Sequence, residues 1–170
     1  MRWIIVLLCF ISAQACSQSQ PAEKEFTTFI LVRHAEKVSD GTKDPDLTMD
    51  GKTRANELVK VLNETKIDAV YSTAFKRTMY TAAPIAEANA LTPVVYEAFK
   101  EPVMDSLLVK HKGETIVIVG HSNSIPWTAN YLLGKKQFSD FEDSDYNNLL
   151  IVSVLVKGTA NVTWLTYGSK

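Results

Sequence analysis

The stretch Phe29-Ile30-Leu31-Val32-Arg33-His34-Ala35-Glu36-Lys37 decides the fold and most of the chemistry. An apolar run ends abruptly in an arginine followed by a histidine. With Thr28 included, the run is short, β-branched and apolar, and reads as a buried strand over Thr28 to Val32. It leaves a cation and an imidazole at the strand tip. Two further segments repeat the pattern: Val70-Tyr71-Ser72-Thr73 leads to Arg77, and Ile116-Val117-Ile118-Val119-Gly120 leads to His121. Three strands are thus expected to deliver Arg33, His34, Arg77 and His121 to one rim.

Working outward, helices alternate with these strands. Thr48 is placed to cap a helix carrying Ala55, Leu58, Val59 and Leu62 on one face, with Asp50 favoured by the dipole in its first turn. A second helix is expected from Ala74 to Asn89, with Phe75, Met79, Ala82, Ala83 and Ala86 inward and a kink at Pro84. Thr92 to Tyr96 reads as a short strand and Pro102 to His111 as a helix. Ser124 is expected to cap the helix after His121, with Pro126 in its first turn. Leu149 to Val156 and Asn161 to Thr166 read as a hairpin around Lys157-Gly158. This alternation implies the α/β class, a three-layer sandwich with a largely parallel central sheet. In such sheets ligands bind beyond the carboxyl ends of the strands, where Arg33, His34, Ser72 and His121 fall.

The 170 residues carry a net charge of −1, and no basic excess suggests nucleic acid, so an anion site has to be a local cluster of cations. Met1-Arg2, the apolar run Trp3 to Ile11 and the small residues that follow read as a signal peptide over 1–15, the run being too short for a comfortable membrane span. Ala13-Gln14-Ala15-Cys16 resembles the lipobox of bacterial lipoproteins, which implies cleavage before Cys16, lipidation of its thiol and an extracytoplasmic, membrane-anchored protein. Ordinary secretory cleavage is the alternative. Residues 16–25 then form a tether and 26–170 a single domain, without a disulfide because Cys9 leaves with the signal.

A phosphomonoester concentrates nearly two negative charges on its terminal oxygens. Guanidiniums meet such oxygens with paired donors, each charged hydrogen bond worth about 1.5–3 kcal/mol. Arg33 and Arg77 are the expected clamps, and the start of the second helix would favour an anion beside Arg77. A neutral imidazole attacks phosphorus, and neighbouring cations keep His34 neutral. His121 is suited to donating to the transferred oxygens as charge builds. His34, Glu36 and His121 as metal ligands are the rival reading of the same residues.

Leu31-Val32-Arg33-His34-Ala35-Glu36 resembles the signature of the histidine phosphatase superfamily, which includes the phosphoglycerate mutases. Leu47-Thr48 with Gly51 and Ala55, Ser72 to Thr78 with Thr81, and Gly120-His121-Ser122 resemble three more of its blocks, in order, between Phe29 and Trp127. The resemblance implies a phosphoglycerate mutase-like fold, a phosphorylated His34, and a phosphate pocket of Arg33, Arg77 and His121. It also implies chemistry without metal or cofactor. Ser122 and Asn123, the latter standing where a glycine is common, have side chains suited to bonding phosphate. An acidic residue beyond the second arginine serves many members as proton donor, and Glu97 stands nearest that place, with Asp105 and Glu36 as weaker candidates. The short stretch between Arg77 and His121 leaves little chain for a cap, so an open, hydrolytic site is expected. The alternatives are a phosphomutase and a phospho-ligand binding module without turnover. The substrate is expected to be a phosphorylated small molecule or a phosphoprotein, and secretion favours an extracytoplasmic phosphomonoester.

Overall fold

The computed structural model describes residues 25–168. In chain order the elements are β1 (Thr27–Arg33), α1 (Met49–Val61), β2 (Ala69–Ser72), α2 (Lys76–Ala88), β3 (Val94–Val95), α3 (Glu101–Lys110), β4 (Thr115–Gly120), α4 (Ser124–Leu133), β5 (Asn148–Val156) and β6 (Thr159–Thr166). The signal peptide, Cys16 and nearly all of the tether fall outside the described residues. Among those described, no helix is long and apolar enough to cross a membrane.

One six-stranded sheet runs β3-β2-β4-β1-β5-β6. β3, β2, β4 and β1 pair in parallel; β5 joins β1 antiparallel, and β6 joins β5 antiparallel. The sheet is therefore mixed, and mostly parallel where the strand tips matter. The expected hairpin around Lys157-Gly158 is present and extends the sheet beyond β1.

Side chains alternate across a strand, and the core divides accordingly. Phe29 and Leu31 of β1 and Ile116 and Ile118 of β4 share one cluster with Met104, Leu107, Ile125 and Leu132 of α3 and α4. Ile30, Val32, Val117 and Val119 share the other with Leu58, Ala82 and Ile85 of α1 and α2. β1 is buried along nearly its whole length, which is why its sequence is a continuous apolar run rather than an alternation.

Two local expectations are corrected. α2 turns Thr78, Thr81, Ala82, Ile85 and Ala86 inward, while Phe75 and Ala83 are exposed and Met79 is half-buried. The threonines tolerate burial because their hydroxyls are satisfied: Thr78 donates to the Phe75 carbonyl at 2.8 Å and Thr81 to the Arg77 carbonyl at 2.7 Å. Ser124 is not a cap but the first residue of α4; its hydroxyl instead accepts the His121 backbone N–H at 2.8 Å. Thr48 does cap α1, accepting the Gly51 N–H at 3.0 Å.

Candidate active site

The register of two strands builds the centre. Arg33 of β1 lies opposite Gly120 of β4, so the next residue of each strand is a histidine. The His34 N–H donates to the Gly120 carbonyl at 2.8 Å, extending the ladder one step past both strand ends. The two imidazoles stand edge to face with centroids 5.4 Å apart. β2 enters beside β4, and Thr73, just past its end, brings its hydroxyl to within 2.9 Å of His121 Nε2.

His34 Nδ1 lies 2.8 Å from the Ala35 carbonyl oxygen. A carbonyl only accepts, so Nδ1 carries the proton and Nε2 keeps its lone pair. Burial pulls the His34 pKa down to about 3 against the upward pull of that carbonyl, and the charges of Arg33, His121 and Arg77 each add a lesser downward pull. Burial, Arg77 and Arg33 lower His121 to about 4. Both rings are neutral at physiological pH.

The guanidiniums are held in place while keeping donors unspent. Arg33, only 2% exposed, donates through Nη1 to the carbonyls of Glu142 (2.7 Å) and Asp145 (3.1 Å), with Nη2 3.5 Å from the Asp143 carboxylate. The Tyr146 ring covers it at 4.3 Å. Arg77 lies in the first turn of α2, with Nη1 3.9 Å from Asp44 and its Cζ 4.4 Å above the Phe75 ring. Among the described residues, Arg33 Nε and Arg77 Nε are buried with no hydrogen-bond partner. A buried unpaired donor costs about 1–3 kcal/mol, more when charged, and an acceptor shared by these two atoms would relieve that cost.

The surrounding blocks hold this centre. Thr81, whose hydroxyl bonds the Arg77 carbonyl, accepts the Ala35 N–H at 3.0 Å and so ties the His34 loop to α2. Gly51 passes under the Glu36 carbonyl oxygen, where a Cβ would collide. Gly120 is required for the same reason beside Ser124, whose hydroxyl a Cβ would meet at 2.6 Å.

Of the remaining expected site residues, Ser122 is half-buried beside His121, and Asn123 is the exposed N-cap of α4, without a side-chain capping bond. Glu97 is exposed just beyond β3, on the rim of the parallel strands. The Ser72 hydroxyl turns back to the Thr73 carbonyl at 2.9 Å and is fully buried, so Thr73 rather than Ser72 faces the histidines. The anion at the start of α2 is Asp44, whose carboxylate accepts the Lys76 N–H at 2.9 Å. Glu36 is committed to Arg54, with three hydrogen bonds of 2.7–3.0 Å. Tyr146, Phe75 and the carbonyls of 142–145 went unread in the sequence as parts of the site. An aspartate-rich run before a strand was the only visible sign of that loop.

Residues 29–102 match the histidine phosphatase superfamily (branch 1). The match takes in Arg33, His34, Arg77 and Glu97 and stops before His121. Phosphoserine phosphatase 1 of Hydrogenobacter thermophilus is 44% identical over 68 residues, which are 36% of this chain and 32% of that protein. The match thus spans about a third of the curated relative. A mycobacterial glucosyl-3-phosphoglycerate phosphatase has a similar fold, with a TM-score of 0.65 and 13% identity over 85% of this chain and 100% of that one. So does a phosphoserine phosphatase variant from Entamoeba histolytica bound to phosphoserine, at TM-score 0.61 and 17% identity over 84% and 97%. The sequence matches show a likeness to histidine phosphatases over less than half of the chain, and these structures show the fold.

Proposed function

We propose that this protein is a phosphatase that hydrolyses phosphomonoesters through a phosphohistidine on His34. The observation that carries the reading is the pair of buried, unspent Nε donors on Arg33 and Arg77 beside a His34 whose Nε2 lone pair is free. The guanidiniums draw in the phosphoryl oxygens and spread their charge. Nε2 of His34 attacks phosphorus, and the ester oxygen leaves with the bonding electrons and takes a proton. His121 offers a ring N–H to the phosphoryl oxygens as their charge grows. Water then attacks the phosphohistidine, inorganic phosphate departs, and His34 returns to its neutral form. Nothing in this sequence of steps calls on a metal. Glu97 is our proposed proton donor, and Ser122 and Asn123 are proposed additional phosphate contacts.

The three-layer sandwich is our reading of the two core clusters, since right-handed crossovers put α1 and α2 on one face and α3 on the other. We also propose the lipid anchor on Cys16, with its extracytoplasmic location. It rests on the lipobox-like Ala13-Gln14-Ala15-Cys16.

The test is to quench the protein during turnover of a phosphate-labelled ester. Acid-labile, base-stable label is expected on wild type and none on His34→Ala. Undiminished hydrolysis of p-nitrophenyl phosphate by that variant overturns the assignment.

A further inference from the structure

Each of the two reacting histidines has an aromatic ring against it. Phe75 meets His121 edge to face at 5.2 Å, and Tyr146 is tilted against His34 at 5.9 Å. The same two rings cover the two clamps, Phe75 under Arg77 and Tyr146 over Arg33. They reach the site from unrelated segments, the N-cap of α2 and the loop that leads into β5.

Neither ring is placed by the core. Phe75 is 41% exposed and Tyr146 half-buried, and neither packs into a core cluster. Phe75 also occupies an N-cap, a position that favours a small polar side chain able to accept a helix N–H. A large apolar residue there gives up capping and keeps an apolar surface in water. Its contacts run to His121 and Arg77.

We infer that Phe75 and Tyr146 are walls for the leaving group, and that the site prefers phosphomonoesters whose leaving group is a flat ring bonded directly to the ester oxygen. This deepens the phosphatase reading and rests on it. A phosphoryl group gripped by the two guanidiniums lies next to the rings that stack on them, 4.3 Å from Arg33 Cζ and 4.4 Å from Arg77 Cζ. An aryl group on the ester oxygen meets the rings in the offset or edge-on contacts that aromatic pairs favour, and an alkyl chain does not. When Nε2 of His34 bonds to phosphorus, the P–O bond breaks and its electron pair goes to the aryl oxygen, which needs little help from a proton donor. Water later breaks the N–P bond.

The experiment compares kcat/KM for phenyl phosphate and hexafluoroisopropyl phosphate, esters of alcohols of similar acidity but only one of them aromatic. Wild type is expected to favour the phenyl ester. The phenyl-to-alkyl ratio is expected to fall by about fivefold in Phe75→Leu, Phe75→Ala and Tyr146→Ala, in keeping with an aromatic pair's extra attraction. Tyr146→Phe is expected to keep the ratio, because the ring rather than the hydroxyl makes the wall. Equal kcat/KM in wild type overturns the inference. So does an unchanged ratio in the variants, even where both rates fall together, since that is the signature of a displaced guanidinium. Loss of the ratio in Tyr146→Phe removes Tyr146 as a wall. Failure to hydrolyse either ester sinks the phosphatase reading itself, a result distinct from hydrolysis without preference.

Discussion

The Ser124 hydroxyl accepts the backbone N–H of His121 at 2.8 Å, across a glycine that leaves it just enough room. This contact turns the chain sharply out of β4 and into α4 and sets His121 against His34. A Cβ on Gly120 would lie 2.6 Å from Ser124 Oγ and 3.0 Å from Ile125 Cδ1. Gly120→Ala therefore has to push Ser124 and Ile125 aside, at a cost of about 1–3 kcal/mol. Ser124→Ala leaves the His121 N–H without its acceptor, at a similar cost of about 1–3 kcal/mol. Both variants are expected to unfold at lower denaturant concentration than wild type and to lose at least tenfold in kcat/KM. Gly120→Ala with wild-type activity would mean that this turn does not set the second histidine.

Acid should act on stability before it acts on the nucleophile. With His34 at about 3 and His121 at about 4, both rings stay neutral well below the ordinary histidine range. In the unfolded chain they protonate near pH 6.5. Between those values the unfolded state binds more protons, so stability is fully present above the unfolded pKa and falls as pH drops. The slope approaches about 1.4 kcal/mol per pH unit for each histidine. Chemical denaturation at a series of pH values is expected to show this decline, reduced in His34→Ala. The pH profile of kcat should keep its activity to below pH 5. A loss of kcat centred near pH 6.5 would mean that His34 has an ordinary pKa.

The parts of the site legible in the sequence are those that a single strand delivers. Arg33-His34 and Gly120-His121 each follow an apolar run, and two runs ending alike in a parallel sheet put their next residues side by side. Thr48, Gly51 and Thr81 were readable as motif positions, and their contacts with Glu36 and Ala35 give the reasons. The partners of Arg33 were not readable. The Glu142 and Asp145 carbonyls lie more than a hundred positions away and act through backbone oxygen, which any residue supplies. The inward face of α2 was misread because apolar periodicity gives no weight to Thr78 and Thr81, which are buried through their own hydrogen bonds.

The fork between Glu36 and Arg54 anchors the loop that carries His34. Arg54 donates Nε and Nη2 to the Glu36 carboxylate and Nη1 to the Tyr167 carbonyl at 2.9 Å. Burial pushes the Glu36 carboxyl up, but the Arg54 bonds, a backbone hydrogen bond and the charges of Arg54 and Arg33 together hold the group below its usual range. Arg54→Ala strands that carboxylate and the carbonyl together, and a loss of about 2 kcal/mol is expected, below a fully buried pair because Glu36 is partly solvated. Arg54→Lys should recover little of it, since an ammonium lacks the planar fork. Thermal or urea unfolding measures both; full recovery in Arg54→Lys would reduce the contact to simple charge attraction.

Glu97 is the residue whose role depends most on the substrate. It stands exposed past β3, on the rim where the histidines lie, and among the described residues no hydrogen bond or ion pair fixes it. A carboxyl that moves freely can serve as acid only if it reaches the ester oxygen when substrate is bound. For Glu97→Gln the slowing should then depend on how badly the leaving oxygen needs a proton. With p-nitrophenyl phosphate, whose leaving group departs as a stable anion, kcat should change less than about threefold. With a simple alkyl phosphate the loss should approach about a hundredfold, the lower end of what general acid catalysis supplies. A plot of log kcat against leaving-group pKa should be steeper for the variant than for wild type. Parallel lines would show that Glu97 does not deliver the proton, and the donor would then have to come from another residue on the rim or from water.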